Sequence, residues 1–319
     1  MAHSPDSPLT GLDSVRVFAV CLVTAQHALT LLDHEAWATT HGISIGQLGV
    51  ALFLGVSGLL AVQSRRPAFQ WLGQRLRRVF PAYWLALGLS FAATALTGYK
   101  HFDLGQVLAQ ACGVGLFTHP HNLVNSATWF ISLLLVCYLG VFLGRWWHCL
   151  RGLSLVSVLG LAVVVAVEPR PWLTAHLLTF SVVAFLAPMT SSSWRPCAFG
   201  LAAGTFLAAA CWQIAFACTG ITLLLLSVCG IFRHEPRLVH LAADYSYEYY
   251  LLHGAALIGA IRLFPERWWI AVPAGIVLAG LAAVLLRGTV HWLSRLGGNV
   301  AVQWRQKTAG PLTSRLAAR

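Results

Sequence analysis

Arg16 and His27 stand eleven residues apart in GLDSVRVFAVCLVTAQHALTLL (11–32), where Gln26 is the only other strongly polar side chain between Arg16 and Asp33. On an α-helix that spacing is about three turns, so the two side chains share nearly one face, roughly 16 Å apart along the axis. Ionisable groups inside an apolar helix are costly and turn toward a protein interior or a wet cavity. A neutral imidazole so placed can act as a general base toward a hydroxyl. The same pair also suits a plainer role, with Arg16 a positive-inside anchor and His27 an interfacial histidine at the far end of a span. The helix alone does not separate the two.

Two further groups invite chemistry. The stretch SRRPAFQWLGQRLRRVFPAYW (64–84) is the densest basic cluster in the chain. Arg75 and Arg78 lie three apart, point the same way on a helical turn, and suit the grip of a phosphate-bearing ligand. Anchoring to anionic lipid headgroups is the competing role. Ser246, Tyr250 and His253 follow i, i+4, i+7 spacing and share a face. They suit either a polar wall of a binding site or a hydrogen bond between helices. His119 and His121 in THPHN have metal-pair spacing, but H-x-H in a loop is too common to imply a metal, and none is expected. Ser57 in GVSGLL lacks the second glycine of a nucleophile elbow, Leu59 standing in its place. Gly55 and Gly58 there suit close helix packing.

These groups need a scaffold, and composition says which. Of the 319 residues, 10% are charged and 58% hydrophobic, with mean hydropathy +0.71. A soluble chain carries about 25% charged residues. The expected fold is all-α, a polytopic transmembrane bundle of about ten spans forming a single domain over 1–319, with 288–319 a basic tail. The spans are 15–33, 46–64, 79–98, 127–144, 152–167, 172–188, 196–210, 213–231, 246–264 and 268–286, each near the length a bilayer requires. The short apolar run 104–118 is expected at the interface or as a re-entrant segment, and 64–84 as an inner loop.

The formal charge of +11 does not point to nucleic acid, because the basic residues sit in short loops between apolar spans. In the ten-span scheme only Lys100, Arg170, Arg262 and Arg267 of the 21 Lys and Arg fall outside, which predicts cytoplasmic termini. The eight cysteines include no C-x-x-C pair and imply neither disulfides nor zinc. The first apolar run reads as an uncleaved signal-anchor.

Five blocks resemble, in order, the membrane-bound acyltransferase-3 family. The opening helix has an L-D-x-x-R start with a histidine eleven residues after the arginine. GVALFLGVSGLL (49–60) is similar to the family's second span, RLRRVFPAYW (75–84) to its R-x-x-R-I-x-P-x-Y-W segment, WFISLLLVCYL (129–139) to its W-F-L span, and SYEYYLLH (246–253) to its S-Y-x-x-Y-L-x-H segment. The resemblance implies an enzyme of the bacterial inner membrane that moves an acyl group, most often acetyl, from cytoplasmic acyl-CoA to a hydroxyl of a lipid-linked or cell-surface carbohydrate.

It also implies site residues. His27 matches the catalytic histidine and Arg16 its paired arginine, while Arg75 and Arg78 match the cytoplasmic arginine pair. Tyr250 and His253 are expected on the donor side. The CoA arm, roughly 15–20 Å long, is comparable with the Arg16-to-His27 rise. Partner proteins of glycan biosynthesis are further expected associates. The family's acidic residue in the second span is Ala51 here, and Glu248 sits where small residues are commoner. The rival function is a transporter or flippase for a polar solute that uses the same cationic residues without acyl chemistry. Inverted-repeat transporters show broken helices in matching halves, and no internal repeat is visible.

Overall fold

The computed structural model describes residues 11–40, 42–98, 100–147, 171–189, 191–229 and 235–309. The described part is helical apart from a hairpin of two short strands, Thr39–Thr40 (β1) and Ile43–Ser44 (β2). The main helices of the first half are Leu12–Leu31 (α1), Ile45–Gln63 (α3), Ala68–Thr97 (α4) and Trp129–Trp146 (α7), with the short Glu35–Ala38 (α2) before the hairpin. The second half holds Pro171–Leu186 (α8), Ser191–Cys211 (α9), Phe216–Cys229 (α10), Arg237–Leu263 (α11) and Trp268–Ala309 (α12). Among the described residues, five helices are long and apolar enough to cross a membrane: α1, α3, α4, the stretch Ser126–Trp146 and residues Trp268–Leu296 of α12. The expected span 152–167 lies outside the described residues.

Two elements run longer than the apolar pattern implies. The basic stretch expected as a loop is instead the start of α4, a 30-residue helix that begins after Pro67. Leu, Gln and Arg there are good helix formers, and Pro81 lies inside the helix. At 1.5 Å per residue α4 is about 45 Å long, against a hydrocarbon core of about 30 Å. Its Arg75–Arg78 turn is therefore rigidly attached to a span. Likewise α12 continues for 42 residues into the basic tail. Its Val277, Leu281 and Leu285 are at least 60% exposed, as suits a helix facing lipid.

Helix α3 lies at the centre because its small residues let neighbours approach. A Cβ on Gly49 would lie 2.6 Å from the Ala19 carbonyl of α1. One on Gly55 would lie 2.6 Å from Thr222 of α10, and one on Gly58 2.9 Å from the Phe180 carbonyl of α8. Leu52, Leu54 and Ala51 of α3 are completely buried. At its C-terminus Arg145 of α7 donates to the carbonyls of Ala61 (2.8 Å), Val62 (3.3 Å) and Ser64 (2.7 Å), meeting acceptors the helix leaves unpaired. The opposite end of the bundle is roofed by 100–125, which contains the short helices Leu104–Ala111 (α5) and Gly115–Thr118 (α6). Buried Gln110 fastens this roof: the Tyr83 hydroxyl donates to its carbonyl, and its side-chain oxygen accepts from the Val124 amide at 2.8 Å. Asn125 donates to the Leu251 carbonyl of α11 at 2.9 Å.

Candidate active site

Because α1 is unbroken from Leu12 to Leu31, it holds Arg16 and His27 on one rigid rod, and a separate cavity lies at each. Arg16 is fixed from two sides. Its Nη1 donates to Asp13 Oδ1 at 3.3 Å and its Nη2 to the Ser246 hydroxyl of α11 at 3.0 Å. Asp13 in turn takes a hydrogen bond from His240 Nδ1 at 2.7 Å. Arg75 donates to the Leu60 carbonyl at 3.0 Å, and its guanidinium stands 5.7 Å from the Trp71 ring and 6.0 Å from the Tyr138 ring. Arg78 makes no hydrogen bond among the described residues. All three arginines line a cavity of about 80 Å³, which no acidic side chain among the described residues enters. Three guanidinium groups around one void are suited to an anion, since each offers planar, fork-shaped donors to phosphate or carboxylate oxygens.

The second cavity is about 630 Å³ and is lined by His27 together with Gln26, Ser44, Gln47, Trp129 and Trp172. That size suits a small-molecule ligand. Neutral amides and hydroxyls beside indole faces can bond to hydroxyls while covering an apolar ring face. Gln26 is held in place, accepting from the Ser44 hydroxyl at 2.8 Å. Lys100 and His121 of the roof complete this wall.

Tyr250 lines both cavities. Its ring packs against Phe53 (centroids 5.9 Å) and Phe130 (5.2 Å), so an aromatic plug separates the arginines from His27. The smaller cavity holds only a few waters' worth of space, so any long ligand joining the two must move this plug. His253, one turn on from Tyr250, lines neither cavity. Its Nε2 lies 2.9 Å from His27 Nδ1, and its Nδ1 lies 2.6 Å from the Tyr250 carbonyl oxygen.

The acyltransferase-domain family profile matches residues 9–288. The chain belongs to the acyltransferase-3 family. It is also 28% identical over 180 residues to the exopolysaccharide production protein ExoZ of Rhizobium meliloti (strain 1021). That match covers 50% of this chain and 54% of ExoZ, so the chain spans about half of that relative's length. No solved structure matches significantly.

Of the residues singled out in sequence, this acyltransferase-3 chain brings Arg16, Arg75, Arg78, Ser246 and Tyr250 to one cavity, and His27, His121 and Tyr250 to the other. Ala51, at the family's acidic position, lines neither cavity. Trp71, Tyr138 and Ser57 around the arginines, and Ser44, Gln47, Trp129 and Trp172 around His27, were not assigned to a site from sequence. Ser44 and Gln47 sit at the N-terminus of α3, where Ser44 caps the helix by accepting from the Gln47 amide. A capping serine carries its own sufficient explanation, which hides a second role.

Proposed function

We propose that this chain transfers an acyl group, acetyl foremost, from acyl-CoA to a hydroxyl of a lipid-linked or cell-surface carbohydrate. Ten spans and cytoplasmic termini are part of the proposal, resting on the Lys/Arg asymmetry, and so is a bacterial inner-membrane location, resting on the family. The observation that carries it is that α1 joins a three-arginine cavity, at Arg16, to a larger cavity at His27, about 16 Å further along the helix. Arg16, Arg75 and Arg78 hold the phosphate-bearing head of the donor. The pantetheine arm passes the Tyr250 plug and brings the thioester toward His27.

His27 removes the proton from the carbohydrate hydroxyl as its oxygen attacks the thioester carbonyl. The carbon–sulfur bond breaks, an ester forms, and the thiolate takes the proton back from the imidazolium to leave as free CoA. The larger cavity suits the acceptor, its amides and hydroxyls facing sugar hydroxyls and Trp129 and Trp172 facing the ring. The relative's printed role in exopolysaccharide production supports a polysaccharide acceptor.

His27→Ala should lower acylation by about 10²–10⁴-fold, the usual worth of a general base. The measurement is mass spectrometry of surface glycans from cells carrying the wild type, the variant or no copy, with protein level followed by immunoblot. Acylation that persists in accumulated His27→Ala protein would remove the base. Acylation unchanged between cells with and without the chain would favour passage of a solute through the two cavities over acyl transfer.

A further inference from the structure

Resting on His27 as the base, we propose that His253 is a positioning residue that fixes which nitrogen of His27 carries the proton. A backbone carbonyl oxygen only accepts hydrogen bonds, so His253 Nδ1, 2.6 Å from the Tyr250 oxygen, must bear a hydrogen. In the neutral imidazole the other nitrogen, Nε2, is then a bare acceptor. That acceptor lies 2.9 Å from His27 Nδ1, which must therefore be the donor. The one proton of neutral His27 is thus on Nδ1, and its Nε2 lone pair is free.

The opposite tautomer of His27 would set two lone pairs against each other at that distance. It would also leave an N–H where a base is needed. His253 itself is 1% exposed and lines neither cavity, so substrate does not reach it. The two rings lie nearly parallel, 20° apart with centroids at 4.7 Å, and the Tyr249 ring is parallel to His253 within 9° at 6.1 Å. Packing therefore holds the relay as well as hydrogen bonding. When His27 takes up a proton at Nε2, its Nδ1–H still points at a neutral acceptor whose own proton is tied to a carbonyl dipole. The relay thus accommodates the imidazolium without a buried carboxylate.

The chain Tyr250 carbonyl, His253, His27 predicts different outcomes for three substitutions. Gln at 253 reaches the position of Nε2 with an amide oxygen and keeps an acceptor for His27. Asn reaches only the position of Nδ1, and Phe keeps the ring shape with no acceptor. In membranes containing the full chain, turnover is read as thiol released from acetyl-CoA in the presence of the host's extracted lipid-linked oligosaccharides. His253→Phe and His253→Asn should lower kcat about 10²-fold with little change in either KM, and His253→Gln should recover at least tenfold of that loss. Equal kcat for the Gln and Asn variants, or a Phe variant within twofold of wild type, would overturn the relay. His27→Ala run alongside separates the two levels. An active His27→Ala removes the base and the relay together, whereas an inactive one beside an unimpaired His253→Phe removes only the relay.

Discussion

At one end of α1, Arg16 shares a cavity of about 80 Å³ with Arg75 and Arg78; at the other, His27 opens on one of about 630 Å³. The first is tight and strongly cationic. The second is roomy and mixes amides, hydroxyls and indoles with aliphatic side chains and His121, with Lys100 bonded to the Leu123 carbonyl at 3.1 Å. The contrast divides the work of the site. Gripping a multiply charged head calls for fixed guanidinium groups, which keep their charge at any working pH. Moving one proton calls for a group that is neutral at rest and has an acceptor free. Arginines close to His27 would oppose the imidazolium of the proposed base step, and some 16 Å of helix keeps them apart.

The arginine end offers the largest test of this division. Arg75→Ala with Arg78→Ala should raise the donor KM by about 10²–10⁴-fold, taking roughly 1.5–3 kcal/mol for each charged hydrogen bond. CoA should then no longer raise the melting temperature of the purified protein. Unchanged stabilisation by CoA in the double variant would break the assignment of the donor head to this cavity. Arg145 is the control, a cation nearby that faces helix carbonyls instead of the void. It also stands 5.3 Å from the Trp71 ring. Arg145→Ala should cost about 1–3 kcal/mol of stability through the lost bonds to α3, while the donor KM stays within a few-fold. A KM change as large as that of the double variant would blur the two kinds of arginine into one.

Much of this arrangement was legible in sequence because cost made it so. Arg16 and His27 stand out in α1 since little else polar survives in an apolar run, and the three-residue spacing of Arg75 and Arg78 carries straight into the structure. Helix ends were less visible. Hydropathy reads the apolar part of an element, so the 68–78 turns of α4, although rich in good helix formers, read as loop, and the far half of α12 read as tail. The His27–His253 bond was beyond reach for another reason. The face shared by Ser246, Tyr250 and His253 gives a direction, but which helix that face meets is set by tertiary packing. The same holds for Trp172, an aromatic at the start of an apolar run, whose indole lies 5.2 Å from that of Trp129.

Acceptor contacts at the histidine end predict smaller effects than the base itself, because an acceptor spreads its binding over many contacts. Trp172→Ala should raise the acceptor KM about 2–10-fold, the worth of one aromatic contact, with the donor KM unmoved. Host lipid-linked oligosaccharides titrated against a fixed acetyl-CoA level would show it. An effect on the donor alone would place the donor head in the wrong cavity.

The smallest effect concerns the Asp13–His240 contact behind Arg16, ahead of the apolar stretch 246–264. The hydrogen bond to Asp13 raises the pKa of His240 above its ordinary value of 6.5, helped by the charges of Asp13, Glu235 and Asp244. A raised folded value gives a contribution that is fully present below pH 6.5 and is lost as pH rises through the folded value. His240 is exposed, so solvent screens the pair and the effect on the melting temperature is slight. Between about pH 5.5 and 8.5, His240→Ala should melt below wild type at the acid end and converge with it at the alkaline end. Asp13 also holds Arg16, and that bond does not need His240 to be charged. The donor KM of His240→Ala should accordingly stay flat over the same range. A KM that followed the melting curve would mean that the arginine end shares the titratable character assigned here to the histidine end alone.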